Sequence, residues 1–484
     1  MYAPRGFGLS EVGDVEVFPD GHRIHLYQLT LPNHDTIQHV VSDDGLAWSP
    51  LPDALRTGEP GDCDDDMIWT MSVTERAGSY YMVYTALSRA ENGHVQRTAL
   101  ATSTDLIHWT KSRHNPVGRA DPRWYEAATD GTEWVSWRDP KPILVGDTYF
   151  AAVCAREKTG PAMRRGCIGL LTSRDLTTWE PRPPLFTPRR YWDLECPQVF
   201  VVDGAYYAMA AVMEDRTQRY WSAPAFDGPY DVPGDGGILV PRGHYAGRVC
   251  SWRGKSLYFC WHKADYDWNG FRNPNGKFVP APLVLFRRPD GTLGRKSFPE
   301  WEKYRIGSPA SPVQLDTSLF HRQPVENTRR WQVEAAGKMD VVASAQNVGD
   351  VILEGTLTLG ARAGGLGFRL DDDGGGYFVD LRAGSDEVVL KKWLPTRSAA
   401  GDQDWFNYVE LQRGSLTRAV RPGDAIPFRL LLVGPYLECS LFGEVAIATA
   451  SAQRTSGRLG IWAESGTASA SDLSWSEMRQ PRHG

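Results

Sequence analysis

The 484-residue chain lacks several features that would assign it quickly. No run of eighteen or more apolar residues occurs, so no membrane-spanning helix is expected. No block of lysine and arginine stands out, and the net charge is −6 with both signs mixed, which argues against nucleic acid or an anionic membrane as a partner. The first residues, MYAPRGFGLSEVGDVEV, have no basic head followed by an apolar stretch. No signal peptide is read there, and a cytoplasmic location is the expectation. A mature secreted form restarted with a new methionine would look the same. The seven cysteines (63, 154, 167, 196, 250, 260, 439) form no CxxC pair and do not cluster with the 11 histidines, so free thiols are expected and a metal site is not. Apolar helical periodicity is also nearly absent.

What is present is aromatic and β-branched. There are 18 Trp, 19 Tyr and 17 Phe, in short runs separated by Gly, Pro and Asp turns. That pattern reads as all-β. At this length more than one domain is expected.

A repeat runs through the first part of the chain. DGHRIHLYQL, AGSYYMVYTA, VGDTYFAAVCA, DGAYYAMAAV and RGKSLYFCWH each place a turn glycine before an aromatic strand. The glycines are Gly21, Gly78, Gly146, Gly204 and Gly254. Their spacing is roughly 60 residues, the length of one supersecondary unit. A second element follows in VSDDGLAWS, TSTDLIHWT and TSRDLTTWE, which share Ser, Asp and Trp in register; YWSAPAFDGPY is a degenerate fourth copy. Four-stranded units repeated radially make a β-propeller, and five repeats make five blades.

Counting back from each glycine gives the first chemical signal. Asp14 and Asp139 each lie seven residues before their glycine, and Glu195 lies nine before. Offsets of seven and nine share a strand face. Three blades therefore place a carboxylate near the start of the innermost strand, converging on one end of the axis. The corresponding slots of the other blades hold Met71 and Gly247.

Paired carboxylates in a sugar-sized funnel suit glycoside cleavage, where one acid donates a proton and another attacks carbon or activates water. Glu195, among Trp192, Leu194 and Cys196, is expected to be the acid, because apolar neighbours disfavour its charge. Asp14 is expected to be the nucleophile, with Gly13 leaving the strand open. Asp139 is expected to grip vicinal hydroxyls, and Arg138 reaches the pocket if the strand start is irregular. Further substrate-contact candidates are Asp66 in CDDDMIW, Trp69, Trp137 and Trp192 as stacking platforms, and His244 before the fifth inner strand. The stretch DDDGGGYF has the wrong ligand spacing for calcium and reads as a hairpin turn.

The WRDP and EC motifs, with Asp139 and Glu195 as their acids, resemble the paired signature of glycoside hydrolase family 32 and its relative family 68. HVVSDDGLAWSPLPDAL and IWTMSV extend the likeness over roughly residues 10–265. The resemblance implies a five-bladed propeller with a C-terminal β-sandwich and a retaining mechanism through a covalent intermediate. It assigns Asp14 as nucleophile, Asp139 as transition-state stabiliser and Glu195 as acid/base, and it needs no cofactor. The chain departs from the family around Asp14, where SEVGDVEV keeps only the Asp of the usual motif, and in the second blade, where a Ser-Gly pair is missing. Those positions shape the sugar pocket, so the substrate expectation widens from fructofuranosides to related furanosides, D-arabinofuranosides included. Alternatives are an inverting arabinofuranosidase or xylosidase of the family 43 kind, a fructosyltransferase, and a non-catalytic carbohydrate-binding propeller. The expected partner is a carbohydrate substrate; sequence does not fix the oligomeric state.

The expected layout is a propeller over 1–305, a Pro- and Ser-rich linker over 306–317, and a jelly-roll-like sandwich over 318–480, where alternating strands are separated by regular turns.

Overall fold

A computed structural model describes residues 11–128, 134–263, 277–310, 315–316, 330–397, 404–451 and 453–482. Antiparallel sheets dominate it, and the helices among the described residues are three short 3-10 turns. None is long and apolar enough to cross a membrane.

The five repeats are five sheets. Three are four-stranded, the fourth has three strands, and the fifth has five, four in sequence with the two-residue strand Lys277–Phe278 pairing at the side. Their innermost strands are Glu11–Pro19, Met67–Arg76, Trp137–Val145, Glu195–Val202 and His244–Trp252, here assigned to blades I to V. The turn glycines Gly21, Gly78, Gly146, Gly204 and Gly254 all have positive φ, from 63° to 95°. Any other residue would be strained at these positions.

The Ser-Asp-Trp element is a loop that caps itself. In blade II, Ser103 Oγ accepts the Leu106 amide at 3.0 Å, Asp105 Oδ1 accepts those of Ile107 and His108, and the Trp109 indole donates to the Leu106 carbonyl at 3.0 Å. Blade III repeats the arrangement with Ser173, Asp175 and Trp179. This part of the repeat is therefore structural.

Blade V closes on blade I through a shared core of Val12, Val17, Trp48, Trp252 and Phe259. The same core takes in Ile352, Leu431, Tyr436 and Met478 from the C-terminal sheet, so the two parts of the chain share buried apolar surface. That C-terminal sheet has twelve strands and wraps a core of its own, with the long strand Arg458–Met478 pairing to four others. Within the segment expected as a linker, residues 306–310 form part of strand Arg305–Ala310, paired with Arg458–Met478. Residues 311–314 and 317 lie outside the described residues. DDDGGGYF is a turn, closed by the Asp371 amide on the Gly375 carbonyl at 2.9 Å.

Candidate active site

The inner strands bulge where they reach the axis. Asp139, Cys196 and Ala246 have φ of 61°, 47° and 52°, and pairing in blades III, IV and V shifts register around them. Blade I shifts between Val12 and Val15, around Gly13 and Asp14. A bulge breaks strict alternation and re-aims consecutive side chains. Arg138 and Asp139 therefore both reach the axis. A left-handed aspartate costs about 1 kcal/mol or more. Hydrogen bonds hold it there: its amide donates to Thr85 Oγ1 at 2.9 Å, and its Oδ2 accepts the Cys196 amide at 2.8 Å.

The glycine count is off by one at Asp139, because Gly146 directly follows the last paired residue, Val145, whereas Gly21, Gly78, Gly204 and Gly254 are each the second residue after theirs. Counted from the last paired residue, Asp139 is level with Gly13, Cys196 and Ala246, and Asp14 is level with Pro140 and Pro197. The acids meet because of the bulges, not because they share a slot. Gly13 also has a different role from the expected one. A Cβ there would sit 2.7 Å from that of Leu29, so glycine is required by packing behind the strand.

Asp14 is half-buried, and both its oxygens are held. Thr70 Oγ1 donates to Oδ2 at 2.5 Å, and the Trp261 indole donates to Oδ1 at 3.0 Å. The Cys196 thiol lies 3.4 Å from Oδ2. Asp139 is 2 % exposed, and burial pushes its carboxyl up to about 6. Arg138 opposes that rise; the nearby Asp14 and Glu195 carboxylates add to it. Glu195 keeps 21 % side-chain exposure, enough to be reached from the funnel. Its Oε1 accepts Arg138 Nη2 at 2.8 Å, and its Oε2 accepts the Tyr245 hydroxyl. Expected among apolar neighbours, Glu195 has its carboxylate oxygens held by these two polar groups.

Arg138 is the hub. It is buried, donates to Asp193 Oδ2 and Glu195 Oε1 at 2.8 Å each, and has Nε 3.7 Å from Asp139 Oδ2. Ser136 and Gln96 complete its shell. Expected as a ligand for sugar hydroxyls, it is instead spent on three carboxylates, which hold it in one pose.

The other candidates divide. Trp69 is half-buried one residue before Thr70, with its ring 5.5 Å from that of His34. Asp66 is half-buried in the loop leading into the same strand. Its neighbours Asp64 and Asp65 organise that loop, the first on Lys111 Nζ and Tyr84, the second on the amides of Gly61 and Arg89. Trp192 is half-buried, but one ring face carries the Arg156 guanidinium at 3.8 Å. Trp137 is not a platform: it is 0 % exposed in the core against Tyr125, because its side chain lies on the far side of the strand from Arg138. His244 is not a sugar contact either. It is 1 % exposed at the seam between the two sheet systems, with Nε2 donating to the Ala448 carbonyl at 2.7 Å.

Five neighbours escaped the sequence reading: Thr70, Asp193, Cys196 as a thiol donor, Tyr245 and Trp261. Tyr245 had a signal, since it stands level with Glu195 and Arg138 in the aligned strands. The ligand atoms of Asp14, Asp139 and Cys196 lie within 4.8 Å of one another, a spacing a cation could use. Burial pushes the Cys196 thiol well above its usual range, which makes it a hydrogen-bond donor rather than a thiolate ligand.

Residues 24–227 match the Glycosyl hydrolases family 32 N-terminal domain. Asp139 and Glu195 fall inside the match, and Asp14 lies before its first residue. That match covers less than half of the chain, and the solved structures it resembles have the same two-part fold. Fructan 1-exohydrolase IIa from Cichorium intybus is 14% identical, with a TM-score of 0.70 over 98% of this chain and 95% of that one. Sucrose-6-phosphate hydrolase from Lactobacillus gasseri is 15% identical, with 0.71 over 97% and 91%. Exo-inulinase from Aspergillus awamori is 13% identical, with 0.71 over 97% and 96%. No curated protein sequence matches the chain.

Proposed function

We propose that this protein is a retaining glycoside hydrolase acting on fructofuranosides or closely related furanosides. Glu195 gives a proton to the leaving oxygen while Asp14 attacks the anomeric carbon. The sugar is then held covalently on Asp14, and the leaving group departs as an alcohol. Glu195, now ionised, takes a proton from water, which attacks the same carbon and frees Asp14. Asp139 accepts hydrogen bonds from ring hydroxyls, a grip that tightens as the ring flattens toward the oxocarbenium ion.

The observation that carries this reading is the clamp on Asp14. A nucleophile must meet carbon in one orientation. Hydrogen bonds to both oxygens, from blades II and V, supply that orientation while leaving the side chain half-exposed. Support for the substrate class comes from the matched domain and from neighbours named as fructosidases, fructan hydrolases and inulinases. No comparison points to an arabinofuranosidase. The test is product analysis on sucrose, 1-kestose and aryl furanosides, with Asp14→Asn and Glu195→Gln as controls. Release of fructose that both variants abolish is expected. Full activity in either variant would overturn the assignment.

A further inference from the structure

The innermost strand of each blade pairs on one side only, so five unpaired backbone edges line the axis. Buried amides and carbonyls need partners. Just beyond the carboxylates, charged side chains supply some of them. Glu16, Lys141 and Arg248 come two residues after Asp14, Asp139 and Ala246, in blades I, III and V. Glu16 Oε1 accepts the Val73 amide of blade II at 3.1 Å and Lys141 Nζ at 2.7 Å. Arg248 Nη1 donates to the Cys196 carbonyl of blade IV at 2.8 Å and lies 3.4 Å from that of Pro197. Its Nε is 3.5 Å from Glu16 Oε2, and no hydrogen bond joins those two atoms, so charge alone holds that contact. All five blades thus meet in one cluster. Glu16 is 0 % exposed and Arg248 1 %.

Buried ion pairs are a poor way to gain stability, since apolar packing of the same volume serves as well or better. The position of this cluster gives it a further use. Cys196 is where it meets the site. That residue stands at a φ of 47°, strained for any side chain. Its amide donates to Asp139 Oδ2 at 2.8 Å, and its thiol lies 3.4 Å from Asp14 Oδ2. One residue therefore touches two of the three carboxylates, and Arg248 holds its carbonyl. Among the described residues, the hydrogen bonds of Arg248 go only to the Cys196 and Pro197 carbonyls, so any effect it has on the carboxylates passes through that strand.

We propose that Arg248, braced by Glu16, is a positioning residue: it holds Cys196 in its bulge, and through Cys196 it holds Asp14 and Asp139. Its effect on turnover rests on the furanosidase reading, whereas its effect on Asp139 does not.

The test compares Arg248→Met and Arg248→Lys with a matched control, Arg295→Met. Arg295 is also buried in blade V, on the outer strand Leu293–Lys296, and donates to the Leu239 and Val445 carbonyls at 2.9 and 3.1 Å. The first readout is kinetic, on an aryl furanoside. Displacing a reacting group by about 1 Å costs on the order of a hundredfold in rate. A fall in kcat of about that size is expected in Arg248→Met and about tenfold in Arg248→Lys, with KM nearly unchanged. Arg248→Lys keeps a charge opposite Glu16, so it should fold even if Arg248→Met does not. The second readout needs no substrate. It is the titration of Asp139, followed by NMR of carboxyl-labelled aspartate and assigned by its loss in Asp139→Asn. Burial raises that carboxyl to about 6, while Arg138 and the Cys196 amide hold it down. Loosening Cys196 should therefore move the titration upward in both Arg248 variants. Arg295→Met should lose stability and change neither readout. Native kcat with an unmoved Asp139 titration in Arg248→Lys would overturn the proposal, as would equal changes in Arg295→Met. If the native protein cleaves no furanoside but Asp139 still titrates higher in the Arg248 variants, the brace stands and the furanosidase reading fails.

Discussion

The Cys196 amide donates to Asp139 Oδ2 at 2.8 Å, joining two motifs 57 residues apart in the chain. WRDP and EC are therefore a single physical unit. Each supplies the partner that lets the other hold a left-handed bulge beside the propeller axis. The bond and the Arg138 guanidinium are what stabilise an ionised Asp139 in so buried a place.

Burial outweighs both, and this gives a pH-dependent prediction. Asp139 is raised from 3.8 to about 6 in the folded protein. A carboxyl with a raised folded pKa contributes stability that is complete below the unfolded value and lost as pH rises through the folded one. Asp139→Asn should therefore gain about 1–3 kcal/mol relative to the native protein above pH 6 and little below pH 4. Denaturant unfolding at several pH values checks the sign. A gain that grows toward acid would contradict it.

Arg138 leads to a different expectation. Replacing it with Met strands the fully buried Asp193 and leaves Asp139 and Glu195 without their shared cation. Breaking a buried ion pair from one side costs about 3–5 kcal/mol. Arg138→Met should lose that much in chemical denaturation, and Arg138→Lys should recover only part, because an ammonium cannot reproduce the guanidinium fork.

Trp261→Phe separates ring from donor. The ring that stacks with Tyr245 remains, while the hydrogen bond to Asp14 Oδ1 is lost. The expected result is a fall in kcat of about tenfold, the worth of one oriented hydrogen bond, with KM nearly unchanged. An equal rise in KM would mean that the indole serves binding.

The shared core predicts dependence of the propeller on its companion. A chain ending at residue 304 would expose Trp301, now stacked on Tyr436, and would remove Ile352, Leu431 and Met478 from the core they share with the propeller. It should aggregate on expression, measured as loss of the soluble fraction. A soluble monomer with native-like unfolding would contradict the shared-core account.

The blades were legible because glycine turns and aromatic strands recur at a spacing that only a repeated unit explains. The three acids were legible because they lie in motifs at inner-strand starts. Their register was not, because the blade III glycine comes one place earlier in its turn than the others and the strands bulge at Asp139 and Cys196, neither of which alternation reveals. Trp137 and His244 misled for a related reason. Both lie close in sequence to pocket residues, but one faces the core and the other the seam. Thr70, Tyr245 and Trp261 come from blades without an acid, so a search for carboxylates passes over them.

The central claim is that Asp14 becomes covalently loaded with sugar. Glu195→Gln, given an aryl fructofuranoside whose leaving group needs no proton, should release the phenol in a burst and then stall. Acid quenching and peptide mass analysis should then find one added hexosyl residue on the peptide carrying Asp14. Phenol release with no mass gain, or a gain on a different residue, would contradict the account.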